Sequence, residues 1–359
     1  MQDKDQKNGF NEPDGFFEKH LSEIIKIFRK SKVSAYRKQV IWEGIESKLD
    51  NPAKNQFPWM KLGLAASVSL LMAFFTYQFI FENMDSMESL ADLSDVELVT
   101  ETQLILSESE TLLLENDESD LDYSDKGQIS INQEKSTQTS SEYNTLIVPY
   151  GKKSKVTLED GTRVWVNSGS KLIYPVAFSQ KERKLYIEGE AFFEVAPDAS
   201  RPFLVQSKNM DLKVLGTSFN LSSYANEPTV SAVLVTGSVE LTVDKKSLFN
   251  KKKQVLKPHE RAVFGPSTGE LRVKPVDIEY YVAWKEGYMK LRKSNLNQIS
   301  QKLQKFYNVK IELADPSIGE ETFTGKLDLK QDLEEVLEIL TATTSLKFTK
   351  NERRYLLMK

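Results

Sequence analysis

Few residues in this chain are equipped for chemistry. There is no cysteine among the 359 residues, which removes thiolate nucleophiles, disulfides and thiolate metal sites. The two histidines, His20 and His259, are far apart and neither lies near a nucleophile in sequence, so no zinc site and no Ser-His relay is expected. Gly151-Lys152-Lys153-Ser154 has the tail of a phosphate loop but lacks the first glycine five residues earlier, and reads as a surface turn. Glu188, Glu190 and Glu194 have a spacing that permits a carboxylate pair, but the alternation around them reads as a solvated face. One bond stands apart. Gly216–Thr217 ends a β-run, and a threonine hydroxyl set against the preceding carbonyl can attack it in an N-to-O acyl shift, given backbone strain and an oxyanion donor. The alternative is that Gly216 supplies a bulge and Thr217 an ordinary strand position. The expectation is a protein that is not an enzyme and holds no cofactor or metal, with self-cleavage at Gly216–Thr217 as the one candidate reaction.

The elements that position these residues are arranged around residues 62–81, a run with no charge between Lys61 and Glu82. Twenty helical residues span roughly 30 Å, the thickness of a bilayer's hydrocarbon core. Ten of the twenty are Leu, Ile, Val or Phe, so insertion is favoured by several kcal/mol before the polar positions are counted against it. A buried core helix is the alternative, although such helices usually carry a polar stripe. Lys48, Lys54 and Lys61 precede the run and no Lys or Arg occurs in 82–101, which predicts a single-pass anchor with its N-terminus in the cytoplasm. The bulky Gln78-Phe79-Ile80-Phe81 argues against a cleaved signal peptide.

Residues 1–61 predict a helical cytoplasmic segment. Asp14 can cap a helix carrying Phe17, Leu21, Ile24, Ile25 and Phe28, and Ser34 a second carrying Tyr36, Val40, Ile41, Ile45 and Leu49 with Trp42 beside them. Two such helices cannot bury both apolar faces against each other, so a protein-docking module is expected. Nine acidic against twelve basic residues make nucleic-acid binding a weak reading.

Beyond the run, residues 82–142 read as an acidic disordered tether, with fifteen Asp or Glu and no Lys or Arg between Glu82 and Asp125. Residues 143–277 change to period two. Three apolar pairs flank Glu159-Asp160-Gly161, Glu188-Gly189-Glu190 and Thr236-Gly237-Ser238, each read as a hairpin in an all-β sandwich or jelly-roll-like unit. Residues 284–359 read β-α-β-β-α-β-β, a small α+β domain whose first helix is capped by Asn295.

The β unit carries a resemblance. Val156-x-Leu158-x-Asp160-Gly161-Thr162-x-Val164-Trp165-Val166-Asn167 and Ser170-x-Leu172-x-Tyr174-Pro175 are similar to the opening of the FecR-type periplasmic domain. In the same order follow Gly189-Glu190-Ala191-Phe192-Phe193-Glu194-Val195, Arg201-Pro202-Phe203, Val214-Leu215-Gly216-Thr217-Ser218-Phe219-Asn220, Gly237-Ser238-Val239, Leu256-x-Pro258-x-Glu260 and Ala283-Trp284-Lys285-Glu286-Gly287. His259 stands where the family usually has Gly; a turn with φ > 0 there would cost His more than Gly. The last unit resembles the C-terminal domain that accompanies many FecR-like proteins, and more distantly the short signalling domain of secretins and TonB-dependent transducers.

This resemblance implies an inner-membrane regulator of an extracytoplasmic-function sigma factor. It implies that the sigma factor is bound in the cytoplasm by the segment with Ile24, Phe28, Ile41, Trp42 and Ile45. It implies that the outer units meet the signalling domain of an outer-membrane TonB-dependent transducer in the periplasm, in the setting of iron or nutrient uptake. Some members of the family process themselves at a Gly-Thr in the Gly216-Thr217 motif. The competing expectation is a membrane-tethered periplasmic glycan- or protein-binding or envelope-assembly module.

Overall fold

The structure is a computed structural model that describes residues 99–359, apart from 108–109, 126–127, 137–141, 244–251 and 343, together with 26, 39–40, 43–44, 69–76 and 96. The chain divides into two compact units, Met1–Phe81 and Glu82–Lys359. In the first, residues 69–76 are helical, with Leu70, Leu71, Met72, Phe74 and Phe75 exposed. Among the described residues no helix is long and apolar enough to cross a membrane; most of 62–81 lies outside them.

The second unit begins with strands where a tether was expected. These are β1 (Thr102–Ser107), β2 (Glu110–Leu114), β3 (Glu118–Asp122), β4 (Ile129–Ile131) and β5 (Glu134–Ser136). The expected disordered tether over 82–142 is therefore corrected where these five strands lie. Leu104, Leu106, Leu121, Tyr123 and Ile129 are buried in the main core, and apolar burial outweighs the repulsion among acids that remain solvated. Lysines also meet some of the charge: Lys152 pairs with Glu101, and Lys155 with Asp120.

Thirteen strands follow. They are β6 (Tyr143–Val148), β7 (Lys153–Thr157), β8 (Arg163–Val166), β9 (Ser170–Pro175), β10 (Arg183–Glu194), β11 (Phe203–Gln206) and β12 (Met210–Val214). Then come β13 (Ser218–Ser223), β14 (Val230–Thr236), β15 (Val239–Val243), β16 (Lys252–Leu256), β17 (Glu260–Gly265) and β18 (Glu270–Pro275). One sheet runs β2-β1-β6-β9-β10-β11-β12-β15-β16. The other runs β5-β4-β3-β7-β8-β10-β13-β14-β17-β18. Both line one hydrophobic core, as in a β-sandwich.

Strand β10 belongs to both sheets. Tyr186–Glu188 pair with β9, while Ala191–Glu194 pair with β8 and Gly189–Glu194 with β13. Gly189, at φ 104°, is the corner, and a Cβ there would lie 2.6 Å from the Ser170 Cα. The hairpin expected around Glu188-Gly189-Glu190 is therefore a strand that bends between sheets. Gly237 likewise carries the chain from β14 in one sheet to β15 in the other, without pairing them. Of these three expected turns, Glu159-Asp160-Gly161 alone closes a true hairpin, β7–β8. His259 has φ 67° and hydrogen-bonds Leu234 and Val276 through its backbone, so the left-handed turn is kept without glycine.

A short helix, α1 (Glu279–Val282), and a 3-10 turn, Ala283–Glu286, lead into the last unit. It contains β19 (Tyr288–Asn295), α2 (Leu296–Tyr307), β20 (Lys310–Leu313), β21 (Thr322–Asp328), α3 (Leu333–Ala342), β22 (Lys347–Asn351) and β23 (Arg354–Met358). The order matches β-α-β-β-α-β-β, but the strands form two small sheets, β19-β21 and β20-β23-β22. The Asn295 side chain accepts from Gln298 N, capping α2. A separate hydrophobic cluster, including Leu296, Leu303, Val336 and Leu337, makes the core of this unit.

Candidate functional site

The motif residues of the β unit converge at two places. At the first, Asp160 and Arg183 form an ion pair of 2.7 Å with side chains 4% and 0% exposed. The Thr162 hydroxyl donates to Asp160, and its oxygen accepts from Ala196 N. Arg183 also donates to the Arg201 and Ala196 carbonyls and lies over the Phe203 ring. Every neighbour of the pair is thus a fixed structural group, and the Asp160-Gly161-Thr162 and Arg201-Pro202-Phe203 motifs form one joint.

The second place is the seam between the β unit and the C-terminal unit. Glu190, just past the corner of β10, accepts 2.9 Å hydrogen bonds from both Asn167 and Asn220. The other end of the Asn220 amide accepts from Trp284 Nε1 at 3.1 Å, reaching the 3-10 turn that opens the last unit. Asn167, Glu190, Asn220 and Trp284 come from four separate motifs. Nearby, Gly151 N donates to the Lys305 carbonyl, and Lys305 pairs with Glu227 and lies over the Tyr224 ring. Lys153 donates to the Trp284 carbonyl and packs on Phe306, and burial holds its ammonium below the usual 10.5. The Gly151-Lys152-Lys153-Ser154 turn is thus part of the seam.

The Gly216–Thr217 bond sits between β12 and β13. Thr217 is buried, its hydroxyl donates to the Ser238 carbonyl at 3.1 Å and its own carbonyl accepts from Val195 N. A Cβ on Gly216 would lie 2.8 Å from the Pro197 Cα, and one on Gly237 would lie 2.7 Å from the Thr217 hydroxyl. Two glycines therefore let the backbone close tightly on this bond. The hydroxyl is fixed beside it, with a peptide carbonyl, a weak base, as its hydrogen-bond acceptor.

Glu188, Glu190 and Glu194 do not converge: Glu190 is held by two asparagines and Glu194 by Arg163. Among the described residues no cluster of His, Asp or Glu suits a metal ion. Ile24, Phe28, Ile41, Trp42 and Ile45 lie outside the described residues. In the sequence Asn167 and Asn220 stand within the motifs with no evident role, and Arg183 and Arg261 lie outside them. For Asn220 the available signal was a polar residue inside the apolar run of its strand.

A two-sheet β-sandwich whose motif residues hold a small α+β unit against it defines the class. Residues 142–240 match the family described as FecR protein, and residues 288–357 match FecR, C-terminal. Two crystal structures of a candidate anti-sigma factor from Parabacteroides distasonis ATCC 8503, at 2.50 and 1.65 Å resolution, are each 31% identical with a TM-score of 0.53. Each covers 60% of this chain, and the chain covers 99% and 98% of theirs. No curated protein matches. The chain belongs to the FecR family.

Proposed function

We propose that this chain regulates a sigma factor. The observation that carries this reading is the 31% identity to a candidate anti-sigma factor across nearly the whole of its crystallised chain, with both FecR family regions in order. The finer reading is an extracytoplasmic-function sigma factor bound by the segment with Ile24, Phe28, Ile41, Trp42 and Ile45. Residues 62–81 would anchor the chain in the inner membrane, and the β and α+β units would face a TonB-dependent transducer in the periplasm. The exposed apolar side chains of 69–76 and the three lysines before the run support the anchor. A two-hybrid signal between residues 1–56 and a sigma factor is expected. No signal with any sigma factor, together with full function after deletion of 1–40, would favour a tethered binding module instead.

Self-cleavage at Gly216–Thr217 belongs to this proposal. The hydroxyl oxygen would attack the Gly216 carbonyl carbon, giving an ester and a free Thr217 amine, and water would then release the Gly216 carboxylate and regenerate the hydroxyl. The geometry has a consequence. Strand β12 is paired to β11 and β15 in one sheet, β13 to β10 and β14 in the other. A cut between them leaves both halves held by their sheets, so the fragments stay together until the sandwich is pulled apart. A doubly tagged protein should give two bands on a denaturing blot yet co-purify when native, and Thr217→Ala should give one. Identical full-length bands in both would sink the cleavage.

A further inference from the structure

The seam leaves a cleft between α1, the end of β18, β19 and α2. Its volume of about 690 Å³ is within the usual range for small-molecule sites, roughly 300–1,000 Å³. A narrower chamber of about 180 Å³ shares many of the same walls and reaches Glu190, Asn220 and Trp284. Arg261 lines both.

The state of Arg261 is the central observation. Its guanidinium is half-buried, and its partners are neutral: the Tyr281 hydroxyl at 3.3 Å and the Ser231 hydroxyl at 3.2 Å. It lies over the Tyr281 ring at 4.7 Å, and its Nε is buried with no partner. Among the described residues no carboxylate lies within 4.0 Å of it. A charge withdrawn from water without a counter-charge is costly, and a carboxylate is the planar anion that fits a guanidinium fork. The surroundings add to this field. Lys290 is matched by Asp277 and Glu279, and Lys305 by Glu227, but Lys274, Arg292, Lys293 and Lys302 on the same cleft make no ion pair within 4.0 Å among the described residues.

The inner chamber has the opposite character. The Glu190 oxygens each accept one asparagine hydrogen bond and retain lone pairs for a further donor. Tyr224 and Trp284 supply aromatic wall. The cleft thus offers a cation for an acid group at one end, and acceptors for hydroxyl groups beside aromatic carbon at the other. Glu190 and Glu227 would repel a free dianion there.

We propose that the cleft at the seam binds a small hydroxylated carboxylate of the sugar-acid class, with Arg261 taking its carboxylate and Glu190 its hydroxyl groups. Such a ligand would touch the β unit and the C-terminal unit together, and so would bias the seam by its differential affinity for the closed arrangement. This inference does not depend on the sigma-factor reading.

The test is calorimetric titration of the full-length chain, purified in detergent, with glucuronate, glucose and inorganic phosphate. Glucuronate should bind saturably with Kd at or below about 1 mM, and glucose and phosphate at least about tenfold more weakly. Arg261→Gln should weaken glucuronate at least about tenfold while glucose is unchanged. If that variant fails to fold, Lys274→Gln/Lys302→Gln, changed only at exposed side chains, should weaken glucuronate several-fold and reduce its salt dependence. Absence of saturable glucuronate binding would overturn the proposal. Equal affinity for glucose or phosphate, or variants that bind as wild type, would do the same.

Discussion

Trp284 Nε1 donates a hydrogen bond of 3.1 Å to Asn220 Oδ1, joining the turn that opens the C-terminal unit to strand β13 of the sandwich, 64 residues apart. Because the Asn220 amide also donates to Glu190, and Glu190 accepts from Asn167, the turn is tied to the corner of β10 through one polar chain. A displacement of the last unit must break this chain or carry the sandwich with it.

Replacing Trp284 by Phe removes the donor and leaves the acceptor of a residue only 2% exposed without a partner. The cost should be about 1–3 kcal/mol. Hydrogen exchange should quicken in residues 278–295 before it changes in the sandwich core. Unchanged protection there would show that the bond does not hold the seam.

The Arg183–Asp160 pair makes a sharper prediction. Arg183→Met strands a carboxylate that is 4% exposed and should cost about 3–5 kcal/mol in urea unfolding. Arg183→Met combined with Asp160→Leu should recover a large part of that loss. A double variant as unstable as the sum of the singles would mean that packing on Phe203, not charge, sets the cost.

Gly189→Ala places a Cβ 2.6 Å from the Ser170 backbone at a φ of 104°. The steric and conformational penalties together come to roughly 2–6 kcal/mol. Little soluble folded protein is expected, and Ser170→Gly should not rescue it, because the clash includes main-chain Cα. Near-native melting of Gly189→Ala would contradict the corner described for β10.

These positions show how much the sequence could disclose. The β7–β8 hairpin and the Asn295 cap were legible because each depends on neighbours within a few residues. Period-two patterning gave the sandwich but not its corners. Gly189 and Gly237 resemble hairpin turns in composition, and only partners far along the chain decide that they switch sheets. Strands β1 to β5 were hidden by their acids, since the alternation of Leu104 with Leu106 is short and the surrounding charge suggested a solvated coil. At the site, Trp284, Asn220, Glu190 and Asn167 were visible as motif residues, but their convergence is a tertiary fact. Arg261 gave no local signal, because its significance lies in the carboxylate it lacks.

The seam should also respond to acid. Hydrogen bonds from Lys290 hold the Asp277 and Glu279 carboxyls below their usual 3.8 and 4.5. A carboxylate with a depressed folded pKa adds stability above its ordinary value and loses it as pH falls through the folded value. Protection of residues 277–290 should therefore fall below about pH 4.5, and less steeply in high salt because the groups are exposed. Lys290→Met should weaken that dependence, leaving the part due to the Glu279 N–H and the Tyr288 hydroxyl. An identical pH response in the variant would assign it elsewhere.

The central claim is regulation of a sigma factor, and its most direct test is a set of promoter reporters, one for each extracytoplasmic-function sigma factor in the cell. Deleting the chain should change the output of one reporter at least about tenfold, equivalent to about 1.4 kcal/mol in that sigma factor's availability. The wild-type chain should restore it, and the Trp42→Ala/Ile45→Ala chain, expressed at the same level, should not. Reporter output that is the same with the chain present, deleted or doubly substituted, for every such sigma factor in the cell, would contradict the account.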